Sequence, residues 1–176
     1  MEGVIKAIEK LAEKNIIDYL LVIVPIAVSI VAMVISITIS KKQNKIALFE
    51  RRYNCLFQIK TLLAFSKSIE ITFSREIIIK LFDSFWGTNI ANLSGDDQLV
   101  FVGSQIEIIK KDVEQATFLF KYKFNIQPKD IVDSCQSVLM DSLLGKSFDE
   151  SRNEFISKCE EFKTKDLDSI QKFVKL

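Results

Sequence analysis

Residues 19–39, YLLVIVPIAVSIVAMVISITI, run for twenty-one positions without a charged side chain and are followed at once by Lys41, Lys42 and Lys45. A helix rises about 1.5 Å per residue, so the stretch reaches roughly 31 Å, which matches the hydrocarbon core of a bilayer. The other apolar runs, EIIIKLF and QLVFV, meet a charge within a few residues and fall short of the roughly 18 positions a span requires. The expectation is one transmembrane helix over 19–39, preceded by residues 1–18 and followed by residues 40–176 as a single helical domain.

Charge is distributed unevenly around this run. Residues 41–80 hold nine Lys or Arg against three Glu, a net of +6, whereas residues 81–176 hold twelve against sixteen acids, a net of −4. Before the span there are three Lys against four acids. The positive-inside rule therefore predicts a single-pass protein with its N-terminus outside and residues 41–176 in the cytoplasm. A cleavable signal peptide fits less well, because the first residues carry no net positive charge and lysines stand where a small-residue cleavage site belongs.

The rest of the composition points to an all-α fold. Only five glycines and two prolines occur, all isolated, too few turn formers for a strand-and-hairpin architecture. Histidine is absent, which removes the commonest general base and the commonest zinc ligand. Isolated glycines cannot build a phosphate-cradling GxGxxG or GxxxxGK[ST] loop. The doublets Asp96-Asp97 and Glu160-Glu161 point about 100° apart on a helix and read as caps or solvated surface rather than metal ligands. No enzyme, cofactor or metal site is expected. Cys55, Cys135 and Cys159, an odd number without a CxxC pair, read as reduced thiols filling core space.

Several elements are legible from spacing. Val4, Ile5, Ile8, Leu11 and Ala12 recur at helical period opposite Lys6, Glu9, Lys10, Glu13 and Lys14; this amphipathic helix either lies in the outer interface or continues the span. Residues 41–72 lack Gly and Pro and repeat apolar residues at Ile46, Phe49, Tyr53, Leu56 and Leu63, predicting a long helix. EIIIKLFDSFW predicts a shorter one ending at Gly87, with GTNIANLSGDD as the main loop. Leu99, Val102, Ile106, Ile109, Val113, Ala116 and Phe120 keep a seven-residue repeat, which suits a core helix of an intramolecular bundle or an intermolecular coiled coil. Pro128 opens the next helix and Gly145 ends it. Ser147-Phe-Asp-Glu150 has the capping-box pattern for a last helix lined by Phe155, Cys159 and Phe162.

Two groups of residues are candidates for function. Pro25, Ser29, Ala32, Ser36 and Ser40 are spaced 4, 3, 4 and 4, so they form one stripe of small or hydroxyl-bearing side chains on an otherwise Val/Ile/Leu helix. At membrane depth such a stripe faces protein or water; in a single-pass chain that protein is another copy or another polypeptide, and a homo-oligomer in the lipid bilayer is the expectation. The stripe then lines a narrow pore or permits dry helix packing with hydroxyls bonded back to their own helix. The second group is basic: Arg51, Arg52, Lys110, Lys111, Lys121 and Lys123, near Tyr53, Phe57, Phe118 and Tyr122, offers phosphate donors and stacking faces for a nucleotide or short oligonucleotide. Attraction to anionic lipid alone explains Lys41 and Lys42, and it is the competing reading of Arg51 and Arg52, weaker there because they lie about 15 Å past the span if the helix runs straight, beyond a Debye length of roughly 8 Å.

The junction SKKQNKIALFERRYNCL, a span running into a Lys-rich turn and a Phe-x-x-Arg-Tyr helix, resembles small bacterial membrane proteins that act as effectors of anti-phage defence operons. That resemblance covers roughly residues 20–60, and the overall layout is similar to the membrane component of Hailong-type systems, which makes the cell inner membrane the expected location. That resemblance implies an oligomeric ion channel gated at its cytoplasmic helical domain by a nucleotide-derived signal from a partner nucleotidyltransferase. A membrane-bound scaffold that presents a bundle to a cytoplasmic partner is the alternative.

Overall fold

The computed structural model describes residues 2–72 and 74–174, with side chains except those of Ala7 and residues 11–17. Two compact units divide it, Met1–Ala47 and Leu48–Leu176. Helix α1, Glu2–Ile69, contributes to both. It is followed by α2 (Arg75–Trp86), a 3₁₀ turn (Ile90–Asn92), α3 (Gly95–Glu114), α4 (Ala116–Phe120), α5 (Pro128–Leu143), α6 (Asp149–Lys165), α7 (Leu167–Gln171) and a last 3₁₀ turn (Lys172–Val174). Among the described residues there is no strand.

In the first unit, residues 19–39 form an uninterrupted helical run whose large apolar side chains are all about half exposed or more, Ile37 the least at 49 %. This is the one described helix long and apolar enough to cross a membrane. Helix α1 starts at Glu2, so residues 19–39 belong to one helix with the N-terminal amphipathic segment. Leu11, Ala12, Glu13 and Lys14 of its two faces lie outside the described side chains.

The second unit is a helical bundle. The part of α1 within it buries Cys55, Leu56, Ile59, Leu62, Phe65, Ser66 and Ile69, one face of a 3.6-residue period. This differs from the expected apolar face: Tyr53 is 53 % exposed, and Leu63 is only partly covered. Ile46, in the first unit, is likewise 52 % exposed. Phe65 explains where the real face lies. Its ring meets Phe82, Phe85 and Trp86 of α2 edge-on, with centroids 5.5–5.9 Å apart, and Phe155 of α6 at 6.0 Å. Burying a ring of that size stabilises the fold by about 1.5–3 kcal/mol, and such aromatic pairs add to it. Trp86 completes the join by donating its indole N–H to Gln58 at 3.1 Å.

Helix α5 packs between α3 and α6 and buries Ile131, Val132, Cys135, Val138 and Leu139. Its two buried serines turn back on their own helix, Ser134 to the carbonyls of Asp130 and Ile131 and Ser142 to Val138, so neither hydroxyl is left unsatisfied in the core. The heptad residues Val102, Ile106, Ile109, Val113, Ala116 and Phe120 are all buried within this chain, as the intramolecular reading requires. The helix carrying them is not continuous, however: it breaks at Gln115, whose carbonyl accepts from Leu119 at 2.9 Å to begin α4.

The predicted ends mostly hold. Gly87 stands at φ +65, in the left-handed region that glycine enters without a Cβ clash, and the backbone after α2 bonds back to Asp83. Pro128 opens α5 with Asp130 in its first turn. The capping box does not form. Phe148 is the N-cap residue of α6 and packs on the core, so the helix starts at Asp149; the Phe148 carbonyl accepts from the Arg152 N–H at 2.8 Å.

Between α6 and α7 the chain buries one carboxylate completely. Asp166 has no exposed surface and accepts hydrogen bonds from the Asn125 N–H (3.1 Å), the Asn125 side-chain amide (2.8 Å), the Ile126 N–H (3.2 Å) and the Tyr122 hydroxyl (3.1 Å). It thereby pins the connection between α4 and α5 to the end of α6. Removing it strands two backbone donors, at about 1–3 kcal/mol each. Asp166→Ala is expected to lower unfolding free energy by about 3 kcal/mol in urea titrations, and Asp166→Asn, which keeps one acceptor oxygen, by less; equal midpoints for wild type and Asp166→Ala would contradict this role.

Candidate functional site

Of the six cations singled out in sequence, the fold brings two together. Arg51 on α1 and Lys111 on α3 line a cleft of about 120 Å³ with Asn54, Asp112, Gln115 and Leu119. Arg52, one residue along, turns elsewhere. Its Nε donates to the Leu119 carbonyl at 2.8 Å and its guanidinium lies 5.8 Å from the centre of the Phe173 ring. It ties α1 to α4 and to the C-terminal turn.

Lys110 is also engaged, at 2.8 Å from the Asp133 carboxylate of α5, and that hydrogen bond and charge hold the ammonium above its usual range. Lys121 ends α4 in a left-handed conformation (φ 47) and, like Lys123, is exposed. The four aromatics divide in the same manner. Tyr53 and Phe57, 53 % and 55 % exposed, line a cleft of about 270 Å³ with Leu56, Lys60, Gln171 and Val174, and Phe118 is exposed by 83 %. Tyr122 is committed to Asp166.

The acidic doublets behave as caps and surface. Asp96 and Asp97 sit in the first turn of α3, where their charge suits the helix N-terminus, and Ser94 donates to Asp97. Glu161 pairs with Lys165 along α6 at 2.6 Å.

On the apolar run, Pro25, Ser29, Ala32, Ser36 and Ser40 are all exposed. Pro25 removes one N–H from the helix ladder. Ser29 bonds its hydroxyl back to the Pro25 carbonyl at 2.7 Å, and Thr38 does the same to Val34 at 2.8 Å. Two of the hydroxyls on the run are thus satisfied by their own helix.

A further basic cleft, of about 250 Å³ between α1 and α6, is lined by Lys60, Lys67 and Lys163. The sequence reading passes over these lysines because they are isolated rather than clustered. The signal that finds them is negative: none has a carboxylate four residues away on its helix. Compared with protein-family models, curated proteins and solved structures, the chain matches none.

The three thiols are free and buried, as expected. Burial, with a smaller push from Asp112, raises Cys55 to about 12. Burial likewise raises Cys159 to about 12 against a hydrogen bond from Ser66, and pushes Cys135 well up. In the unfolded chain the same groups ionise near about 8.5. Above that pH the unfolded chain has lost protons that the native one keeps, so stability falls as pH rises from about 8.5 toward 12. Urea midpoints should therefore drop between about pH 8 and pH 10, and the native thiols should resist alkylation at about pH 8 until the protein unfolds.

The two adjacent arginines should separate by stability. Arg52→Ala is expected to cost about 1–3 kcal/mol through its charged hydrogen bond, whereas exposed Arg51→Ala should stay within about 0.5 kcal/mol of wild type. Chemical denaturation of both variants distinguishes them.

Proposed function

We propose that the chain is a homo-oligomeric, single-pass membrane effector whose span opens the bilayer to ions under the control of a ligand at its cytoplasmic helical bundle. The observation that carries this reading is the make-up of α1. One helix supplies both the exposed, uncharged run with its one-sided stripe and the core face from Cys55 to Ile69, and no loop intervenes. A ligand that repacks the second segment acts on the same element that holds Ser36 and Ser40. A small, hydroxyl-bearing stripe suits a helix that meets another copy or another polypeptide at membrane depth, and a second copy is the partner this reading adopts. The +6 charge of residues 41–80 supports a cytoplasmic bundle.

The proposed ligand is nucleotide-derived and made by a partner nucleotidyltransferase, in keeping with the likeness to anti-phage effectors. Arg51 and Lys111 are its candidate phosphate contacts, because they share a cleft. Arg52 and Lys110 are better understood as structural.

A second reading, a non-conducting tether that oligomerises and presents the bundle to a partner, is favoured by one observation. The Ser29 hydroxyl is already bonded to the Pro25 carbonyl, as dry packing requires. Planar-bilayer recording of the full chain separates the two. The channel reading expects a current that Ser29→Leu/Ser36→Leu abolishes and that Arg51→Ala/Lys111→Ala uncouples from the nucleotide signal. No current under any ligand condition, or a current indifferent to the serine substitutions, would leave the tether.

A further inference from the structure

Lysines on α6 are mostly neutralised along the helix. Lys158 reaches Glu154 and Lys165 reaches Glu161, four residues back and both at 2.6 Å. Lys163 has Cys159 at that position instead. On α1, Lys60 is flanked four residues away by Leu56 and Ala64, and Lys67 has Leu63 four residues back, with the helix ending at Ile69. No carboxylate stands four residues from any of the three, and although Glu160 and Glu70 stand three residues from Lys163 and Lys67, among the described residues none of the three lysines forms an ion pair. All three line the same cleft between α1 and α6.

The floor of that cleft is apolar. Leu63, Ala64, Cys159 and Leu167 form it beside Ser66, whose hydroxyl is turned onto the Leu63 carbonyl, and the small side chains of Ala64 and Cys159 leave room between the two helices. Cys159 is 1 % exposed, so it closes the floor as a hydrophobe. Glu160 is the one carboxylate in the lining, so three ammonium groups against one carboxylate leave a local charge of +2. Like charges gathered over an apolar surface repel one another until a counter-ion joins them. An occupant that matches the cleft has a doubly charged head and an apolar body.

We propose that this groove binds a small phosphate monoester carrying an aryl or short alkyl body, with Lys60, Lys67 and Lys163 on the phosphate and Leu63, Ala64 and Leu167 under the body. A phosphate monoester is close to a dianion at neutral pH, which balances the local charge. The site lies on a different face of α1 from Arg51, and it stands whether or not the span conducts.

The test uses the full chain in nanodiscs of neutral lipid, titrated calorimetrically with phenyl phosphate, inorganic phosphate and benzyl alcohol. Phenyl phosphate is expected to bind saturably at one site per chain, about tenfold or more tighter than inorganic phosphate, with no measurable binding of benzyl alcohol. Lys163→Met and Lys67→Met should each weaken phenyl phosphate about tenfold or more, Glu160→Gln should strengthen it, and Arg51→Ala/Lys111→Ala should leave it unchanged. These side chains are at the surface, so thermal unfolding midpoints of the variants should match wild type and show that the loss is local. Absence of saturable binding, binding indifferent to both lysine substitutions, or binding lost with Arg51 and Lys111 would overturn the assignment.

Discussion

The bundle is organised on the face that α1 buries between Cys55 and Ile69. That face has to be covered because it concentrates Ile59, Leu62, Phe65 and Ile69 on one side of a helix whose other side carries Lys60 and Lys67. Phe65 supplies the largest single surface, and the elements that meet it, α2 through Phe82, Phe85 and Trp86 and α6 through Phe155, are far apart in the chain. Their convergence on one ring places α5 and α3 in turn, since α5 is sandwiched between α3 and α6. The run at residues 19–39 answers to a different demand, apolar on every side and charged nowhere, which suits hydrocarbon rather than a core.

Polar groups then fix what the apolar face leaves loose. Asp166 gathers the backbone at 125–126 and the Tyr122 hydroxyl onto the end of α6, and Arg152, 7 % exposed, bridges the Thr72 carbonyl at 2.6 Å and Asp149 at 3.1 Å. Asp83 does similar work for the turn after α2 by accepting from Thr88 and from the N–H groups of Ile90 and Ala91. Each of these pairs consumes a charge that the sequence alone displays as available. Arg52 is the clearest instance, because as a member of an Arg-Arg doublet downstream of the apolar run it has the outward form of a ligand contact, and its hydrogen bond to Leu119 makes it a brace.

Helix ends and core periodicity were readable because they are set by neighbours in the chain. Gly87 and Pro128 act through φ and a missing N–H, which need no tertiary partner. The heptad from Val102 to Phe120 was legible even across the break at Gln115, because Val113, Ala116 and Phe120 keep their phase toward the core. The capping box at Ser147 was misleading for the opposite reason. Phe148 packs on the core and sets the point of entry, and a distant contact of that size outweighs a local cap worth about 1 kcal/mol.

By itself, the sequence determined the helical class, the one long apolar run near its start, the positions of most helix ends and the burial of its three cysteines. All of these follow from local composition and from interactions within a turn or two of helix. Tertiary structure alone decided which side of α1 is core, which cations are braces and which remain at clefts. Those outcomes depend on contacts such as Arg52 with Leu119 and Lys110 with Asp133, whose partners lie 67 and 23 residues away along the chain. Pairing over that distance is a property of the packed fold, and no pattern of neighbouring residues encodes it.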